Sequence, residues 1–163
     1  MQGFPRLLGG NFSLAVNLSP ATLTSRRCLD LLAGSDPARI VVEITEHAAV
    51  EDYPRLQRYR EKLRQLGTRL AIDDVGTGFS GLDHILRLGP DLLKLDGALV
   101  CGIDREAGKQ AMVSALVNDA ARTGARIIAE RIETDREHQA LAVLGVGYGQ
   151  GYHFARPAEA IGA

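Results

Sequence analysis

The sequence predicts an α/β fold, a partial TIM-type parallel barrel with about six of the eight strand–helix units of a complete one. Three observations predict it. Apolar runs of strand length alternate with segments of helical periodicity. Several runs, such as RIVVEITE, are almost continuously apolar, as in parallel strands buried on both faces. Seven acidic residues sit where such runs stop: Glu43, Glu46, Asp73, Asp74, Asp96, Glu130 and Glu133. Carboxylates at the C-terminal ends of successive strands make a charged rim.

The elements follow in order. FSLAVNLS reads as a strand, and SPATLTSRRCLDLLAG as a helix with Ser19 as cap, Pro20 in the first turn and Gly34 as stop. RIVVEITE is the second strand. The next helix starts near Asp52 and Tyr53, carries Leu56, Tyr59, Leu63 and Leu66 at helical spacing, and ends at Gly67. RLAIDD is a strand, VGTGFSG a glycine-rich loop, SGLDHILRLG a short helix and DLLKLD a strand. A looser stretch from Gly97 to Gly108 leads into a helix with Met112, Leu116 and Ala120 on one face, ending at Gly124. RIIAERIE is a strand with its loop, DREHQALAVLG a helix and GYGQGYHF a strand-like segment. No linker interrupts the pattern, so residues 1–163 read as one domain. The competing architecture is a doubly wound open sheet. The barrel is preferred because functional-looking residues follow every strand, whereas an open sheet gathers them at one switch point.

Composition bounds the function. The net charge of −1 offers no basic footprint for a nucleic acid polymer, and 5% aromatics are too few for a stacking platform. A phosphate ligand would need bound cations or local Lys and Arg. No apolar run approaches the roughly 20 residues of a membrane span, and no signal peptide is visible. Cys28 and Cys101 show no paired spacing and read as reduced packing residues of a cytosolic protein.

Acids crowded on one rim repel unless cations neutralise them, and the cations suited to hard oxygen ligands are Mg²⁺, Mn²⁺ or Ca²⁺. Asp73-Asp74 is the sharpest feature. Neighbours on a strand point to opposite faces, so the chain must twist before both oxygens reach one site. Such a pair can bridge two metals; alone, it would read as a solvated turn. Glu43 and Glu46, three apart, face opposite sides, and Glu130 with Glu133 repeats that spacing. Asn17 is an acceptable hard-metal ligand or a turn residue. Lys94 and Asp96, two apart, face the same side, where Lys94 either stabilises phosphate charge or forms a structural ion pair. Gln150 is a ligand contact or a turn. Arg156 is a phosphate contact or a solvated cation. His47, His84, His138 and His153 show no ligand spacing and read as surface or helix residues.

The motifs AVNLSP, EITE, DDVGTGFSGL, PDLLKLD, AERIET and GQGYHFARP resemble, in order and spacing, those of EAL domains, bacterial phosphodiesterases that open cyclic di-GMP to linear pGpG. The resemblance runs from about Ser13 to Ala158. It implies that Asn17, Glu43 and Asp73 ligate a first Mg²⁺ or Mn²⁺, with Asp73 bridging to a second ion held by Asp74. It implies a catalytic role for Lys94 beside the attacking water, for Asp96 in orienting that network, and for Glu130 as a metal or water-network carboxylate. Gln150 and Arg156 become substrate or supporting contacts. The stretch Val75 to Leu82, including Thr77 and Ser80, is similar to the loop that couples the metal site to a dimer interface, with Glu46 and Glu133 as anchors.

The departures carry expectations too. The namesake Glu-Ala-Leu segment is absent, which implies that the first two barrel strands and one metal carboxylate are missing, that turnover is weak or nil, and that open strand edges favour self-association. Arg131 stands where the family usually has Gly. The resemblance further implies a cytoplasmic protein or the cytoplasmic domain of a membrane-bound sensor, without direct membrane contact, and a homodimer when complete. The alternatives are a non-hydrolysing EAL module that binds cyclic di-GMP or a protein partner, and an unrelated metal-dependent barrel hydrolase.

Overall fold

The structure, a computed structural model, describes residues 13–76 and 81–156. Six strands form one parallel sheet: β1 (Leu14–Asn17), β2 (Ile40–Thr45), β3 (Arg69–Val75), β4 (Leu92–Leu95), β5 (Arg126–Ala129) and β6 (Tyr148–Gly149). Their spatial order is β1-β2-β3-β4-β5-β6, with every neighbouring pair parallel. A doubly wound sheet reverses its strand order at a switch point. Here there is no reversal, so the winding is that of a partial barrel.

The helices are α1 (Pro20–Leu23), α2 (Arg26–Ala33), α3 (Tyr53–Leu66), α4 (Gly81–Leu88), α5 (Gly97–Val100), α6 (Ala107–Thr123) and α7 (Asp135–Val143). The punctuation of α3 follows the sequence signals. Asp52 accepts from the Arg55 N–H, Pro54 sits in the first turn, and Gly67 closes the helix at φ 86°. The single helix expected after β1 is instead two. Ser25 caps α2 by accepting from Cys28 N, so the polar TLTS stretch ends one helix and starts another. In α6 the buried residues are Val113, Leu116 and Ala120; Met112, placed by its spacing on one face with Leu116 and Ala120, is exposed. Cys28 is buried and Cys101 is exposed, which corrects the reading of both as packing residues.

Strand alternation sorts the sheet into two faces. Ile40, Val42, Ile44, Leu70, Ile72, Leu93, Leu95, Ile127 and Ala129 join the main core with helix residues such as Leu56, Leu63, Leu88, Val113 and Leu141. The intervening residues Val41, Ala71 and Leu92 form a separate small cluster with Ile128 on the opposite face. Two residues further along each of these strands stand Glu43, Asp73, Lys94 and Glu130. A period of two puts them on the same face as Val41, Ala71, Leu92 and Ile128. The charged layer therefore rests on a small apolar floor.

The opposite end of the sheet is tied by Asp91. Its Oδ2 accepts from Leu70 N at 2.8 Å, its backbone N–H donates to Leu70 O, and its carbonyl accepts from Arg126 N. These contacts lock β3, β4 and β5 in register at the end away from the rim.

Candidate functional site

Lys94 is the hub of the charged layer. Its Nζ lies 3.1 Å from Glu43 Oε1, 3.1 Å from Asp73 Oδ1 and 2.8 Å from Glu130 Oε1. All four side chains are 8–15% exposed. Gln150 Nε2 adds a hydrogen bond of 2.8 Å to the same Glu130 oxygen. Asn17 lies beside Glu43 in the β1–β2 register, and both line a shallow cleft with Ser19, Pro20 and Thr45.

The backbone at Asp73-Asp74 performs the twist that this pair requires. Ile72 pairs with Leu93 and Val75 with Leu95, so both aspartates stand opposite Lys94 alone. This is a β-bulge, two residues against one. Asp74 absorbs it at φ 58°, a left-handed conformation that Asp adopts more readily than most residues. Its N–H turns back onto Asp73 Oδ1 at 3.0 Å.

Three carboxylates surround one ammonium, an excess of two negative charges in a desolvated layer. Burial alone would lower the Lys94 pKa, but hydrogen bonds to Glu130, Asp73 and Glu43 prevail and hold it well above its ordinary value. Burial raises the Glu130 pKa, opposed by Lys94 and reinforced by repulsion from Asp73 and Glu43. Both directions mean that the layer still lacks positive charge. Among the described residues, the second oxygens of Glu43, Asp73 and Glu130 have no hydrogen-bond donor. Hard oxygen donors with surplus negative charge fit a divalent cation of the Mg²⁺ or Mn²⁺ type.

A family model for the EAL domain matches residues 1–157. The chain belongs to the EAL domain family. It is 34% identical over 155 residues to the probable cyclic di-GMP phosphodiesterase PdeA of Escherichia coli K12, covering 91% of this chain and 21% of that protein. Among solved structures it resembles Klebsiella pneumoniae BlrP1 in its pH 9.0 complex with manganese and cyclic di-GMP, at 35% identity and a TM-score of 0.80, over 91% of this chain and 40% of that one. It also resembles the EAL domain of Mycobacterium smegmatis DcpA, at 30% identity and a TM-score of 0.82, over 90% of this chain and 69% of that one. The chain spans about a fifth of the length of the first curated relatives it matches.

The EAL resemblance singled out more residues than this cluster holds. Asp96, expected to orient the Lys94 network, is instead the N-cap of α5. Its Oδ1 accepts from Ala98 N at 2.7 Å and its Oδ2 lies 3.9 Å from Arg131 Nη2. No contact among the described residues joins Asp96 to the cluster. The reason is that β4 ends at Leu95, and Asp96 turns its carboxylate onto the next helix. Arg156, a candidate substrate contact, is exposed and stacks over Tyr152, 5.4 Å from its ring centre. Glu46 is buried, and its Oε2 accepts from Gly76 N at 2.8 Å, tying β2 to the start of the glycine-rich loop. Thr77 and Ser80 lie outside the described residues.

Glu133, expected as a second anchor, exposes its side chain and contributes only its backbone N–H. The anchoring carboxylate there is Glu137, which is buried. It accepts from Gly102 N at 2.9 Å, Thr134 N at 3.0 Å and Glu133 N at 3.1 Å. The signal was present in the sequence, because Thr134 and Glu137 form a capping box at the start of α7. Arg131 adopts φ 54°, a conformation that favours glycine, and its side chain packs across Gly97. That is a physical reason for Gly at this position in the family pattern.

Proposed function

We propose that this chain carries the hydrolytic rim of a cyclic di-GMP phosphodiesterase that releases linear pGpG. The observation that supports it best is the Lys94 hub: three carboxylates, two on strands β2 and β3 and one just past β5, share one ammonium and leave further oxygens available. Asn17, Glu43, Asp73 and Asp74 are the residues that would hold Mg²⁺ or Mn²⁺. Bound there, such ions neutralise phosphate charge and ease deprotonation of water, in a two-metal manner.

The chain's own groups supply the rest. Lys94, held among three carboxylates, is placed to donate a hydrogen bond to the attacking oxygen or to a phosphate oxygen. Glu130, whose pKa burial raises, is placed beside Lys94 to take up a proton, and Gln150 holds it in place. Glu46 fixes the backbone just after the bulge and so steadies the two aspartates. This reading includes a cytoplasmic location and a homodimer joined through the loop that follows β3. No helix among the described residues is long and apolar enough to cross a membrane.

The test is chromatography of cyclic di-GMP incubated with the protein in Mg²⁺ or Mn²⁺, alongside Glu43→Gln and Asp73→Asn. The expected result is slow pGpG formation by the unsubstituted protein, as the absence of one metal carboxylate implies, and none from the variants. A second reading, binding of the nucleotide without hydrolysis, is favoured by Arg131 standing where the family pattern has Gly and by Asp96 standing apart from Lys94. Nucleotide binding by calorimetry with no pGpG would select it.

A further inference from the structure

Away from the carboxylate rim, Asp135, His138 and His153 place one potential ligand atom each within 4.8 Å of one another. We propose that these three residues form a binding site for a Zn²⁺-class transition-metal ion, distinct from the Mg²⁺- or Mn²⁺-type site of the rim. The sequence hides the grouping. His138 belongs to α7, whereas His153 lies in the turn after β6. Asp135 and His138 are three apart on the helix and so share a face.

The imidazoles sit on well-fixed backbone. The capping box of Thr134 and Glu137 sets the start of α7. His153 N donates to Ile132 O at 3.0 Å, while Ile132 N donates to Gln150 O at 3.0 Å, so the turn is stitched to the segment after β5. The turn needs its glycine: Gly151 has φ 152°, and a Cβ there would stand 2.2 Å from Ile132 O. Phe154 meets both rings edge-on, with centroids 5.2 Å from His138 and 4.9 Å from His153, and the two imidazoles are 5.2 Å apart. Asp135 is exposed and is held through one oxygen by Gln139 Nε2, leaving the other oxygen for a ligand.

Two imidazoles and a carboxylate suit Zn²⁺, whereas Mg²⁺ prefers oxygen donors alone. Bonds of about 2.0–2.2 Å in a tetrahedral site put donor atoms about 3.3 Å apart. The contraction needed is within reach of side-chain rotation, because Asp135 is exposed and both rings are only half-buried. Three protein ligands leave a fourth position for water or a further donor. Occupation would tie α7 to the turn that begins next to Gln150.

The experiment is a Zn²⁺ titration of the protein in saturating Mg²⁺, followed by calorimetry, with Co²⁺ as a coloured substitute. The expected result is a single ion per chain with visible Co²⁺ absorption typical of four-coordination. His138→Gln and His153→Gln should each weaken Zn²⁺ by more than the roughly 10–100-fold that losing a supporting partner costs. Glu43→Gln should leave the affinity unchanged. Equal affinity in the wild type and the histidine variants overturns the proposal, as does loss of Zn²⁺ in Glu43→Gln. Imidazole nitrogen NMR on the unsubstituted protein tests the site without any variant: His138 and His153 resonances should move with Zn²⁺, and stationary signals overturn the assignment.

Discussion

Lys94 Nζ and Glu130 Oε1 are 2.8 Å apart, yet the pKa of each is raised. An isolated ion pair would hold its carboxylate down. Here the two other acids consume much of the ammonium's influence, and burial penalises the remaining charge. The pair is therefore part of an under-neutralised assembly.

Lys94→Met removes the only cation that touches these three acids among the described residues. Breaking a buried ionic contact from one side costs about 3–5 kcal/mol. We expect a loss of that order at neutral pH in chelator, measured by chemical denaturation. Acidification or added Mn²⁺ should restore much of it, because either neutralises the orphaned carboxylates. A variant as stable as wild type in chelator at pH 7 would contradict the charge argument.

Glu130→Gln should have the opposite effect on stability. A carboxyl whose folded pKa lies above the unfolded 4.5 favours the fold fully below 4.5 and loses that contribution as pH rises through the folded value. Replacing it removes this loss. The metal-free variant should equal or exceed wild type at pH 7, with the advantage shrinking as pH falls toward 4.5, and the proposed phosphodiesterase activity should be lost. Thermal melts across pH, paired with product assays, check both.

Glu137 behaves in the reverse sense. Burial pushes its pKa up, but backbone N–H groups of Gly102, Glu133 and Thr134 and the Thr134 hydroxyl bring the net value below the usual 4.5. Its contribution is thus present above pH 4.5 and is lost as pH falls through the folded value. Glu137→Gln turns an amide donor toward backbone donors and should cost about 1–3 kcal/mol at pH 7. The acid limb of the stability profile should flatten in the variant. A profile parallel to wild type would show that the carboxylate charge is not used.

Arg131→Gly relieves a left-handed residue and removes the side chain that packs across Gly97. The left-handed conformation costs an L-residue about 1–2 kcal/mol, partly offset by the greater chain entropy of glycine. The exposed contact to Asp96 at 3.9 Å adds little. Unchanged or higher stability, up to about 1 kcal/mol, is expected in urea denaturation. A marked loss would mean that Arg131 packing outweighs its strain.

Much of this molecule is legible in its sequence, for local reasons. The near-continuous apolar run of β2 is buried at Ile40 through Ile44, and Asp52, Pro54 and Gly67 mark the ends of α3. Glu43, Asp73, Lys94 and Glu130 were legible because each polar group interrupts or ends an apolar strand. What escaped depends on geometry that composition does not encode. The two-residue rule placed Asp96 beside Lys94, but the strand stops one residue too early. The three-residue echo of EITE in ERIE suggested Glu133, while the capping box one turn later belongs to Glu137. The bulge opposite Lys94 has no sequence signature beyond the aspartates themselves. His138 and His153 meet only because α7 and the last turn fold onto each other.

The alternation of the strands makes the rim a matter of parity. Losing one residue from the middle of β4 would exchange the sides of Lys94 and its leucine neighbours. The ammonium would be driven among the helices, and a leucine would be left facing three acids. A two-residue change would preserve the facing and alter only the height. Natural or engineered length variation in these strands should therefore come in even steps, with single-residue indels tolerated only in the connecting loops.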